Sequence, residues 1–179
     1  MKISTKQMAT AGIILAICII SQFFKNLSVY ITGPIINACL VICVLACGLT
    51  CAIIISIITP ITSFFITGSP IIAAIPAIMP CIMVGNVLLV ICIHYINGKV
   101  VKGSLSLPIS MGIGCIAKGI FMGVVISLTI IPALLPEAMI PKMPVFQSTF
   151  SIVQFVTAVI GCVLAYVIWI PLRKSLRRE

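Results

Sequence analysis

Apolar residues run through this chain in long blocks, broken by short polar interruptions. A polar start with Lys2 and Lys6 precedes the first block, 8–24, which no small-residue cleavage site follows. That block reads as a retained helix rather than a signal peptide. The interruption 25–34, KNLSVYITGP, is turn-rich. The block after it reaches to about residue 65, too long for one crossing and too short for three. Gly48 and Thr50 are the best turn signals inside it, which predicts helices over 31–47 and 50–66.

Thr67-Gly68-Ser69-Pro70 interrupts the chain again, and Pro76 and Pro80 delay the next regular helix to about 77–97. A basic loop around Lys99 and Lys102 leads to a fifth helix over 106–131. The proline-rich stretch PALLPEAMIPKMPV then reads as a loop, and a sixth helix is expected over 147–172. Each block approaches the roughly 20 residues that cross a bilayer. The expectation is an all-α integral membrane protein in which 1–179 form a single six-helix transmembrane domain.

Composition agrees and narrows the function. Apolar residues make up 62% of the chain and charged ones only 7%, against roughly 25% in soluble domains. Eleven Lys and Arg face two acids, Glu137 and Glu179. The basic residues cluster at block ends, as in cytoplasmic loops, so the positive charge is no argument for binding nucleic acid. With both termini cytoplasmic, Lys2, Lys6, Lys99, Lys102, Arg173, Lys174, Arg177 and Arg178 lie inside. Only Lys25 and Lys142 lie outside, and Lys118 falls within a span. Tyr95, Tyr166 and Trp169 then sit at the cytoplasmic interface.

Nine cysteines lie in apolar runs with no C-x-x-C and no zinc spacing. Cys39, Cys43, Cys47 and Cys51 recur every fourth residue, and packing explains them better than a thiolate metal site. No metal site and no cofactor is expected. His94, near the end of the fourth helix, reads as an interfacial residue. No paired carboxylate, Ser-His-Asp set or Walker motif is present, so no enzyme or ATPase activity is expected of the chain itself.

Strongly polar side chains inside the spans are few, and each needs a partner, water or a ligand. Asn37, Asn86, Lys118 and Gln154 come from four different helices and fall in the middle or outer half of the bilayer. Asn37, Asn86 and Gln154 suit helix–helix hydrogen bonding and ligand contact alike. Lys118, flanked by Ala117 and Gly119 with no carboxylate in any other span, favours a pocket or an anionic ligand group. Phe121 and Phe150 share helix faces with Lys118 and Gln154 and are candidate aromatic walls, or lipid-facing residues. Small residues form stripes at Ala9, Gly12 and Ala16, at Gly119 and Gly123, and at Ala158, Gly161 and Ala165. The last two suit internal packing; the first suits internal packing or docking of another membrane subunit.

Taken in order, TPITSFFITGSPIIAAIPAIMP from Thr59, GNVLLV from Gly85, IAKGIF from Ile116 and FSIVQFVTAVIGCVLA from Phe150 resemble segments of one family. The stretch from Gly33-Pro34 through Pro80-Cys81, which holds the first of these, is similar to helices two to four of the substrate-binding S components of energy-coupling factor (ECF) transporters. The other three are similar to the cores of that family's helices four, five and six. The stripe on the first helix resembles that family's alanine motif for docking, although it reads Ala9, Gly12, Ala16 rather than two alanines four apart. The resemblance implies an S-component-like bundle in the plasma membrane of a prokaryote. It implies capture of a B vitamin, a precursor or a similar micronutrient from outside. It also implies a transmembrane coupling subunit and two cytoplasmic ATPase subunits as partners. Ligand contacts carried over from the family would be Asn86, Lys118 and Gln154, with the first outer loop around Tyr30 as a lid. Asn37, Phe121 and Phe150 complete the candidate site. A self-sufficient secondary carrier or channel, disfavoured by the lack of intramembrane acids and of an inverted repeat, and a membrane scaffold are the competing classes.

Overall fold

The computed structural model describes residues 4–24, 28–103 and 105–176, with side chains as far as 173. Lys2, Lys25, Arg177 and Arg178, which enter the charge asymmetry, lie outside the described residues. Six helical segments are long and apolar enough to cross a membrane, and the chain is a multi-pass membrane protein. The described residues form no strand, only an isolated bridge between Asn97 and Val101.

Helix α1 spans Thr5–Gln22, three residues earlier than the apolar pattern alone indicates. The cause is a capping box: Ser4 accepts from the Gln7 backbone N–H, and the Gln7 side chain accepts from the Ser4 N–H. Helix α2, Val29–Ala46, starts on Ser28, whose hydroxyl accepts from the Tyr30 N–H. Gly48, with φ of 88°, makes the expected turn into α3, Leu49–Thr67. The left-handed Gly68 ends α3, and its N–H donates to the Phe64 carbonyl.

A five-residue helix α4, Pro70–Ala74, fills the space before α5, Ile78–Ile96. Pro80 therefore lies inside the first turn of α5, where its missing N–H has no helical partner to lose. Helix α6, Ser106–Phe121, passes directly into a π-helical segment, Met122–Ile130, and a short α7, Ile131–Leu134.

The proline-rich stretch expected as a loop is largely helical: a 3-10 turn, Glu137–Lys142, leads into α8, Met143–Phe150. Its prolines sit at or near element starts, as Pro132 in α7 and Pro144 in α8 do, positions that tolerate the ring. The expected continuous sixth helix is also broken. Ser151, at φ −112° and ψ −89°, separates α8 from α9, Ile152–Leu176.

Six crossings bring both described ends of the chain to one end of the bundle. Helix α2 is the most buried span and packs on α1, α3, α5 and α9; α1 is the least buried. Two apolar clusters result. The larger joins α1, α2, α3, α5, α6 and α9 through residues such as Leu40, Val41, Leu89 and Ile93. The smaller lies at the other end, where Ile71, Ile72, Ile75 and Ile78 meet Met122, Ile126, Ile131 and Phe150. Seven of the nine cysteines are buried, all of them in the larger cluster. All nine are free thiols, and among the described residues no metal-holding group of His, Cys, Asp and Glu forms.

Candidate ligand-binding site

The site is built on backbone carbonyls and on side chains from four helices. In α3, Pro60 has no N–H to give the Ser56 carbonyl one turn earlier. That carbonyl faces the Nδ2 of Asn86 on α5 at 3.5 Å, the long limit of a hydrogen bond. In α2, the Gly33 carbonyl accepts from the Asn37 Nδ2 one turn later at 2.9 Å. With their amino groups turned to backbone carbonyls, both asparagines present their oxygens inward. Lys118 on α6 meets both, its Nζ donating to Asn37 Oδ1 at 2.6 Å and to Asn86 Oδ1 at 2.8 Å. Lysine has only donors, so it fixes the orientation of both amides. Its stem passes Gly85, where a Cβ would lie 3.7 Å from the Lys118 Cγ.

Around this triad is a cavity of about 290 Å³. Asn37, Asn86, Lys118, Gln154 and Phe150 all line it, so four of the five come from different helices of the six-span bundle and converge with the aromatic ring. The remaining wall comes from Val29, Thr32, Gly33 and Ile36 of α2, Thr59, Pro60 and Ser63 of α3, Ser69 to Ile72 at α4, Ile82, and Val145, Phe146 and Thr149 of α8. These residues belong to the half of the bundle remote from the described chain ends.

The triad is buried, with Lys118 only 2% exposed. An ammonium has three donors. Two are engaged by the asparagines, and no hydrogen bond among the described residues takes the third. Gln154, half-buried in the first turn of α9, likewise has no side-chain hydrogen bond among the described residues. The lining hydroxyls are differently employed: Thr32 donates to the Ser21 carbonyl, Thr59 to Ile55 and Thr149 to Val145.

Two expected residues stand elsewhere. Tyr30 is 57% exposed and does not line the cavity; the wall uses its neighbours Val29 and Thr32. Phe121 is turned one helical step away, packing on the smaller apolar cluster with Met122. Phe150 and Gln154 do both face the cavity, though not along one helix face, because the break at Ser151 comes between them. His94 lies outside the cavity, beside Lys99 Nζ at 3.3 Å and edge-on to Tyr95.

Helix α8 is tied down over the site. The Ser127 hydroxyl, in the π-helical segment, donates to the Gln147 carbonyl at 2.7 Å, and the Gln147 Nε2 donates back to the Ser127 carbonyl at 3.0 Å. On the opposite wall, Gln22 of α1 donates to the Thr59 carbonyl at 3.1 Å. The two other stripes of small residues serve internal contacts. A Cβ at Gly161 would lie 2.6 Å from the Asn37 Cβ, and one at Gly119 would lie 2.9 Å from the Phe155 ring. On α1, by contrast, Ala9, Gly12 and Ala16 are all exposed, and a Cβ at Gly12 would meet nothing within 4 Å.

A second, broader hollow of about 700 Å³ lies at the opposite end, near Asn97, Trp169 and Arg173. Its buried polar group is Ser106, whose hydroxyl accepts from the Gly98 N–H and is otherwise held by Asn97 and the Val101 carbonyl. No family model, curated protein or solved structure matches the chain.

Proposed function

We propose that this protein is the substrate-binding membrane subunit of an ECF-type importer, holding a B vitamin, vitamin precursor or similar micronutrient in the cavity around Lys118. The observation that carries this reading is the convergence of Asn37, Asn86, Lys118 and Gln154 on one cavity from four helices. Packing alone asks for buried polar groups to be satisfied by one another. Here the third Lys118 donor and the Gln154 carboxamide are left for something else.

The exposed small-residue face of α1 supports the partner half of the reading. Such a face lets another helix approach closely, and a transmembrane coupling subunit with two ATPases would supply the energy. With the basic ends cytoplasmic, the cavity opens outward, and Lys142, near the start of α8, is extracellular. A cysteine placed at 142 in a cysteine-free chain is expected to react with an impermeant maleimide on intact cells. Labelling only after lysis would reverse the orientation.

Mass spectrometry of the protein purified in mild detergent is expected to find a bound small micronutrient, whose ATP-dependent uptake requires coexpressed coupling and ATPase subunits. Gly12→Leu and Ala16→Leu should abolish uptake while binding persists, because both positions are exposed and a Cβ at Gly12 would meet nothing within 4 Å. Lost binding in either variant, or uptake without the partner subunits, would overturn the assignment.

A further inference from the structure

The charge balance of the cavity says more about its occupant. Lys118 is held by two neutral carboxamide oxygens. Among the described residues the one carboxylate side chain is Glu137, which is exposed on the 3-10 turn and does not line the cavity. Carboxamide dipoles solvate an ammonium but leave its net charge in apolar surroundings, which is unfavourable until an opposite charge arrives.

Resting on the binding role assigned to this cavity, we propose that its ligand is a monocarboxylate with an apolar or aromatic body. The carboxylate takes the third N–H of Lys118, and one of its oxygens accepts from the Gln154 carboxamide. One negative charge cancels one positive charge. A phosphate monoester, at about −1.5 to −2, would leave excess charge buried, and a cation would add to it. The rest of the wall suits the body: Phe146, Phe150, Ile71, Ile72 and Ile82 offer apolar contact. A volume of about 290 Å³ lies at the small end of ligand sites.

Matched probes test the charge directly. Thermal unfolding of the detergent-purified protein is followed in benzoate against benzamide and in butyrate against butyramide, with sodium chloride at equal ionic strength as reference. The carboxylates are expected to raise the midpoint with an apparent affinity at least about tenfold above that of the amides. That preference should vanish in Lys118→Met and persist in Lys118→Arg. Equal protection by acid and amide, or protection by chloride matching that by benzoate, would overturn the proposal.

The compound released from the purified protein gives a reading that does not depend on any variant folding. A carboxylate supports the inference. A neutral or cationic compound overturns it and leaves the micronutrient-binding role standing. No compound and no response to any probe would remove both.

Discussion

Asn86→Leu is expected to destabilise the protein by about 1.5–3 kcal/mol, and adding Lys118→Met to it should recover most of that loss. The figure is that of a hydrogen bond to a charged group. Hydrogen bonds between neutral side chains in membrane proteins are worth less, about 0.6 kcal/mol on average, because the separated helices find other partners in the membrane. The Lys118 bonds lie above that average because the donor is an ammonium, buried to 2% exposure, with Asn37 as its only other hydrogen-bonding partner among the described residues. Removing an acceptor therefore strands charge, while removing the charge strands only two amide oxygens, one of whose carboxamides keeps a firm backbone bond through Gly33.

Lys118→Met alone should be neutral or stabilising. Its ligand affinity should fall by about ten- to a hundredfold and more, the equivalent of 1.5–3 kcal/mol. Unfolding in detergent across the double-mutant cycle measures the coupling, and calorimetric titration measures the binding. Additive losses would show that Lys118 and Asn86 do not depend on each other, and unchanged affinity in Lys118→Met would leave the site to Asn86 and Gln154.

How far the sequence carried can be seen in particular residues. Scarcity made the polar centre legible: with so few strongly polar side chains inside the spans, each had to be answered for, and Asn37, Asn86, Lys118 and Gln154 do share one cavity. The turn at Gly48 was legible because only a tight turn divides that apolar block into two spans. Proline was harder to interpret. Pro132, Pro136, Pro141 and Pro144 look like a loop by composition, yet they mark the starts and turns of short helical pieces. Pro34 and Pro60 lie within helices, and the pairing of the Ser56 carbonyl, which Pro60 leaves without an N–H, with Asn86 depends on how α3 and α5 pack. The π-helical segment after α6 and the break at Ser151 carry no composition signal of their own, and Phe121 packs on the smaller apolar cluster while Phe146 and Thr149 line the cavity. Tyr30 came from the resemblance, as part of a lid loop; the chain there is the first turn of α2, whose Val29 and Thr32 line the cavity while Tyr30 stays exposed.

The closest helix contact in the site gives the other large effect. Gly161 of α9 lies against α2 so tightly that an added Cβ would be 2.6 Å from the Asn37 Cβ, 2.7 Å from the Pro34 carbonyl oxygen and 3.1 Å from the Ala38 nitrogen. Two of those atoms are backbone and cannot swing aside. Gly33 meets Thr157 of α9 on the same seam, where a Cβ would be 2.8 Å away. In an open helix, Gly→Ala gains about 0.5–1 kcal/mol from backbone entropy, and Gly12→Ala, with nothing within 4 Å, should show that gain or none. At Gly161 the clash outweighs it, because overpacking of a close contact costs about 1–3 kcal/mol. The strain falls on Asn37, which holds Lys118 at 2.6 Å, so Gly161→Ala should lose ligand affinity together with stability. Paired unfolding midpoints for Gly161→Ala and Gly12→Ala, with binding measured on both, check the expectation. A Gly161→Ala protein as stable and as tight-binding as the parent would mean that α9 can move off α2 without disturbing the site.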